Sequence, residues 1–482
     1  MSVLEHLQPT GVFHYFEEIC SIPHGSRNTK AISDYLVNFA REHQLEYIQD
    51  SMNNVIIKKK ASAGYENSDP IIIQGHMDMV CEKEKGCDID FEKDGLRLVV
   101  DGDFVKAKQT TLGGDDGIAV AFALAILDDD TLCHPPLEVV ITVDEEIGML
   151  GAYGIDLSSL KGTKMLNLDS DEEGHFLTGC AGGMSLLTDL PVHYISQKGL
   201  ELEVRVTGLE GGHSGGEIHK EHGNADILMG RVLECLMAET PLGITKLAGG
   251  LKDNAIPREC VASLLIPKES KEAASAILDQ LNQTIANELF AADPHAEVSY
   301  TFGDVTTQQI LDYASVNRIA YYLRTVPNGV MHMSQVMPGL VETSLNLGIM
   351  ELNESALHMV TSLRSSVSSR KEDLKNRVCN IVEMLGGEYS VEGDYPAWEY
   401  KQDSQVRETI GTLYEELFGQ APIFEAIHAG LECGLFSEKI PGLDCVSFGP
   451  TNLDIHTPKE RLSISSTERY YRLVVEFLKR SK

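Results

Sequence analysis

Three short aliphatic runs constrain this chain more than any other feature, because each ends in side chains that resist burial. Ile71-Ile72-Ile73 leads through Gln74-Gly75 into His76-Met77-Asp78. The run at residues 137–143 leads into Asp144-Glu145-Glu146, and Met165-Leu166-Asn167-Leu168 leads into Asp169. Runs rich in β-branched and aliphatic residues read as buried strands. Charge left unpaired in an interior is costly, and in open α/β sheets ligands collect at the carboxyl ends of strands. Carboxylates gathered at one end of a sheet need cations there. The pattern predicts an α/β sheet with a metal site at its edge.

Local evidence leaves more than one reading for several residues. His76 and Asp78 lie two positions apart, so in extended backbone they share a face, and a carboxylate can orient a metal-bound imidazole. The same pair also occurs in ordinary loops. Thr111-Leu112-Gly113-Gly114-Asp115-Asp116-Gly117 precedes an apolar helical run at 118–127. One Asp is explained as a helix cap; two in a Gly-rich bend, where the backbone takes unusual angles, exceed what capping needs. His456, in Asn452-Leu453-Asp454-Ile455-His456-Thr457-Pro458, reads locally as a surface-loop histidine, and His24 is assigned no role.

The chain has 482 residues, enough for two or three domains, with 43% hydrophobic and 23% charged residues, as expected of a soluble globular protein. A net charge of −33 argues against nucleic acid and anionic membranes as partners. The amino terminus lacks a basic segment followed by an apolar one, and the longest apolar run is about half a membrane span. The ten cysteines show no C-x-x-C spacing and read as reduced thiols, so a cytoplasmic location is expected. Helical spacing covers 12–47, a strand 54–58 and a hairpin 96–106. From about residue 188 the character changes to α+β: strands near 201–206, 244–247, 261–266 and 297–302, with helices at 225–237 and 269–289. A similar order returns between 330 and 391, which suggests two related units. A helix at 405–418 restores the α/β character. The expected domains are 1–187 and 393–482 for the catalytic part, and 188–392 for an insertion.

Together, G-H-M-D-M, G-G-D-D-G, D-E-E-I-G, N-L-D-S, G-G-H-S-G-G-E-I-H and D-I-H-T-P resemble, in the same order, the motifs of the M20 metallopeptidases, a family of aminoacylases, carboxypeptidases and dipeptidases. The resemblance covers essentially the full chain. It implies a zinc-peptidase-like mixed-sheet catalytic domain with an inserted α+β lid and dimerisation domain. It also implies two zinc ions, with manganese or cobalt able to substitute. Asp115 would bridge them, with His76 and Asp169 completing one site and Glu146 and His456 the other. Asp78 would orient His76, and Glu145 would be the general base. His213 would stabilise the oxyanion from across a homodimer interface, while Asn254, Arg364 and Gly430 would hold the substrate. The Asp115–Asp116 peptide would be cis. The implied activity is that of a dipeptidase preferring a C-terminal histidine, β-alanyl-histidine included. A tripeptidase or an N-acyl amino acid deacylase is the nearest alternative, and a non-catalytic metal-binding protein a more distant one.

Overall fold

A computed structural model describes residues 2–482. The chain divides into two compact units, one made of 1–179, 400–426 and 431–482, the other of 180–399 and 427–430. The expected change of domain at 187/188 falls inside the strand Gly182–Pro191. That strand pairs along its whole length with Ala356–Ser365 of the second unit, so the unit begins earlier than the composition suggested. No helix among the described residues is long and apolar enough to cross a membrane.

The first unit is built on an eight-stranded sheet in the order Glu46–Gln49, Val55–Lys59, Leu137–Thr142, Ile71–His76, Lys164–Asn167, Asp444–Ser447, His175–Cys180, Ile423–Ile427. Its centre is parallel: Ile71–His76 lies between Leu137–Thr142 and Lys164–Asn167, with His76 opposite Thr142 and Gln74 opposite Asn167. The three aliphatic runs therefore end at one edge. Both faces are covered, which is why the strands are buried at every position rather than alternately. The helices Thr10–Ser21, Gly114–Asp128, Gln405–Phe418 and Ile464–Arg480 supply Phe13, Phe16, Phe122, Leu413 and Phe477 to that core. A small sheet pairs Arg461–Ser463 with Phe104–Ala107, linking the C-terminal segment to the hairpin before residue 108.

Helix ends follow local chemistry. Gln405–Phe418 is capped by Ser404, whose hydroxyl accepts the Arg407 N–H, and stops at Gly419 in the left-handed region (φ 72°). The last helix is Ile464–Arg480. Ser463 is its cap, the hydroxyl accepting the Ser466 N–H while donating to Asp103.

The second unit holds one nine-stranded sheet with an internal duplication. Its first half runs strand Tyr194–Thr207, helix Ala225–Glu239, strands Gly243–Gly249 and Cys260–Ile266, helix Lys271–Glu288, strand Glu297–Leu311. The other half runs strand Gly182–Pro191, helix Tyr313–Thr325, strands Val341–Leu352 and Ala356–Ser365, helix Ser368–Met384, strand Glu388–Tyr395. Numbered within its half, each set of four strands lies in the order 4-1-3-2. The halves join antiparallel, second strand to second strand, at Ala248 opposite Glu351 and Gly249 opposite Met350. One half is inserted after the first strand of the other. The repeated order in the sequence suggests the two related units but not this interleaving, which rests on the strand Gly182–Pro191 and the helix Tyr313–Thr325. The strand at 297–302 in fact continues to Leu311, where its polar residues pair with residues 194–199.

Candidate active site

Five segments of the first unit converge at the carboxyl edge of its central strands. His76 ends one strand with its ring buried, Nε2 lying 3.2 Å from Asp115 Oδ1 and 3.8 Å from Asp169 Oδ1. His456 Nε2 lies 3.1 Å from Asp115 Oδ2 and 3.0 Å from Glu146 Oε1. Asp115 thus faces a different imidazole with each of its two oxygens. Ligands of a tetrahedral zinc ion, with bonds of about 2.1 Å, are separated by ~3.4 Å. The distances among these side chains fall around that value. The site is rich in carboxylates: burial pushes Asp169 up to about 8, against the pull of His76, and holds Glu145 well above the usual range. Asp115 stays well below it, since His456 and His76 outweigh its own burial. Contact with Asp115 and Glu146 raises His456 to about 10. Such a donor set, two imidazoles among several acids, fits a pair of divalent cations.

The local backbone explains how the donors are aimed. Gly113 has φ +68°, and the conformations of Asp115 and Asp116 depart from helical values, so the regular helix begins after them. The Asp115–Asp116 peptide is cis, as the resemblance implies. Asp116, not assigned from sequence, turns beneath the strand, where Oδ2 accepts the His76 N–H. A Cβ on Gly75 would sit 2.5 Å from that oxygen, so only glycine fits. Asp116 forms a potential ligand group with His76 and Asp169, and Asp115 forms one with His76 and Glu146; Asp115 also contacts His456. Asp78 lies behind His76, its backbone oxygen 3.0 Å and its Oδ1 3.5 Å from Nδ1. The Asp78 carboxylate also accepts the Ser26 hydroxyl and the N–H groups of Glu145 and Glu146, which secures the loop carrying both glutamates.

The remaining sequence-predicted residues come together within the second unit. His213 Nδ1 accepts N–H groups from Gly215 and Gly216, each at 3.1 Å, which puts the ring proton on Nε2. Burial and the Arg364 charge lower its pKa, so it is a neutral donor at pH 7. Arg364 donates Nη1–H to Tyr395 and keeps a buried Nε without a partner. A Cβ on Gly215 would lie 2.7 Å from the His428 carbonyl and 3.2 Å from Arg364 Nε. Glycine there lets His213, Arg364 and the segment ending at Gly430 approach one another. Asn254 is tied to the same loop, its carbonyl accepting the Ser214 N–H.

The model of peptidase family M20/M25/M40 matches residues 72–480. The chain belongs to this family. It is 36% identical over 482 residues to the cytosol non-specific dipeptidase of Escherichia coli K12, covering 99% of each chain. It is also similar to the solved aminoacylhistidine dipeptidase from Vibrio alginolyticus, at 35% identity and a TM-score of 0.92, over 99% of this chain and 97% of that one. Aminopeptidase PepT from Bacillus cereus, at 14% identity and a TM-score of 0.56 over 98% of this chain and 99% of that one, shares the fold.

Beyond the residues its motifs mark, this M20 family member carries buried polar groups that sequence reasoning missed. Glu432 accepts from Gln74 Nε2 at 2.5 Å and the Thr142 hydroxyl at 2.7 Å, cross-linking two central strands just below the site, and burial raises it to about 7. His428 contacts the Ser344 hydroxyl at 2.7 Å, and burial with the nearby Arg364 lowers it to about 3. Glu460 receives several backbone N–H groups of the 112–115 bend. A lone Glu or His in a loop carries no spacing signal that separates it from a solvated side chain.

Proposed function

We propose that the chain is a cytosolic two-metal dipeptidase that hydrolyses the bond of Xaa-His dipeptides, β-alanyl-histidine included. The observation that carries the reading is Asp115, whose two carboxylate oxygens each face a separate imidazole, 3.2 and 3.1 Å away. His76 and Asp169 would hold one zinc ion, Glu146 and His456 the other, with Asp115 shared. Bound ions of this kind supply Lewis acidity and lower the pKa of water to about 7. Glu145 adjoins a ligand without belonging to either ligand group, so it is free to take a proton from water and give it to the leaving amine. The Nε2–H of His213 donates to the developing oxyanion, a contact worth roughly 3 kcal/mol in comparable sites. Arg364, Asn254 and Gly430 hold the carboxylate end of the substrate, which supports dipeptides over longer chains. The names of the Escherichia and Vibrio relatives support the dipeptide class, and the latter the C-terminal histidine. Free cysteines throughout are consistent with a reducing compartment.

The resemblance implies a homodimer in which the partner supplies His213. The duplication of the second unit favours a second reading, in which one chain already contains the two halves that such an arrangement requires.

A substrate panel tests the activity. Metal-depleted protein should be inactive, and zinc or manganese should restore hydrolysis of Xaa-His dipeptides with little action on tripeptides or N-acetyl amino acids. Faster cleavage of tripeptides or N-acetyl amino acids would transfer the assignment to those substrates. Metal uptake with no hydrolysis of any of them would mark a non-catalytic protein.

A further inference from the structure

We propose that Glu460 is a positioning residue that fixes the two segments bearing Asp115 and His456 relative to each other; this rests on the metal-centre reading above. Its side chain is buried, and its two oxygens are surrounded by donors. Oε2 accepts the N–H of Leu112 at 2.6 Å and of Gly113 at 3.1 Å. Oε1 accepts the N–H of Gly114 at 2.8 Å, the N–H of Asp115 at 3.4 Å and Asn452 Nδ2 at 3.1 Å. Successive N–H groups around a left-handed residue, here Gly113, form a concave nest for an anion. The nest lies in the bend just ahead of the regular helix, which begins after Asp116. An internal carboxylate therefore does here what a bound anion does at other helix starts.

The anchor acts on both sides of the candidate centre. The bend it grips ends in Asp115. Glu460 itself follows His456 by four residues in the same loop, whose turn is closed by the Glu460 N–H to the Thr457 carbonyl at 3.1 Å. That loop begins at Asn452, the fifth donor, which packs against Gly114: a Cβ there would lie 2.7 Å from Asn452 Nδ2. His456 and Asp454 both hold positive φ, 61° and 55°, so the loop needs outside support for its shape. Removing the anchor would free the bridging carboxylate and the distal imidazole together while leaving His76 and Asp169 in place.

The test is Glu460→Gln, which keeps the volume but sets an amide NH₂ against backbone donors. Zinc affinity is read by chelator competition, and the ligand field by the visible absorption of the cobalt-substituted protein. Zinc should bind about 10- to 100-fold more weakly, the usual scale for losing a group that orients ligands. The cobalt bands should shift, and kcat should fall while KM stays within about twofold. A folded Glu460→Gln protein with wild-type zinc affinity and an unchanged cobalt spectrum would overturn the proposal, even if it melted earlier, because that is what a purely structural role yields. Should this variant not fold, Asn452→Ala removes one donor and should weaken zinc about three- to tenfold; no change there overturns the proposal equally. A wild-type protein that fails to take up two ions would instead overturn the metal-centre reading itself.

Discussion

Glu145 and Glu146 are chain neighbours with opposite assignments. Adjacent side chains diverge, and Glu146 approaches His456 at 3.0 Å while Glu145 belongs to neither ligand group. Burial together with the nearby Asp169 and Glu432 raises the Glu145 carboxyl well above its ordinary value, the direction a general base needs in order to return its proton to a leaving amine. Glu145→Gln should therefore lower kcat by about 10²- to 10⁴-fold with metal content near wild type, whereas Glu146→Gln should lose metal. Metal analysis beside the kinetics checks both. Equal metal loss in the two variants would show that the roles are wrong. The sequence alone shows the Glu-Glu pair but not which member turns toward the centre, because that depends on the Asp78 carboxylate taking both N–H groups.

Asp226 belongs to the first turn of the helix Ala225–Glu239, capped by Asn224, whose side chain accepts the Asp226 and Ile227 N–H groups. An acid there suits the helix dipole, yet this carboxyl is fully buried, with the Cys260 thiol as its hydrogen-bonding neighbour. Burial pushes it up to about 8, only weakly opposed by the neighbouring Cys260 thiol. A folded value above the unfolded one, near 4, means the folded state binds the extra proton between those limits. The contribution of this group to stability is then greatest below about pH 4 and is lost as pH rises towards 8, by up to ~1.4 kcal/mol per pH unit. Asp226→Asn should remove this slope, so that its stability advantage over the parent grows between pH 5 and 8 in denaturant titrations. Identical pH dependence in the two proteins would refute the assignment.

Two halves with the same strand order share one sheet in the second unit, and this bears on the assembly. The isologous meeting of second strands at Ala248 and Glu351 is the geometry that two identical subunits adopt about a two-fold axis. If the chain carries its own counterpart in this way, the His213 serving each metal centre need not come from another chain. Mixing inactive His213→Ala with inactive Glu145→Ala protein should then restore nothing, subunit exchange having been confirmed. Recovery to about half the wild-type activity per mixed dimer would instead establish the trans arrangement that the family resemblance implies.

The sequence by itself marked His76, Glu146 and Asp169 at the ends of aliphatic strands and Asp115 in a glycine bend, because those signals are local, whereas His456 and the grouping of all five came only from the resemblance of ordered motifs. It also determined the helix Gln405–Phe418 to the residue, since Ser404 and Gly419 stop it from within. Only the tertiary structure decided how distant segments meet. That Asp115 faces both His76 and His456, over 300 residues apart, depends on a parallel sheet and a small second sheet brought together. Glu460 and Glu432 acquired roles only because folding buried them among donors from remote segments, and a carboxylate's partners cannot be read from its own neighbours in the chain. The interleaving of the duplicated halves was hidden for the same physical reason. Strand pairing is chosen by register across the sheet, so a polar stretch such as 306–311 becomes a strand only when a partner satisfies its backbone.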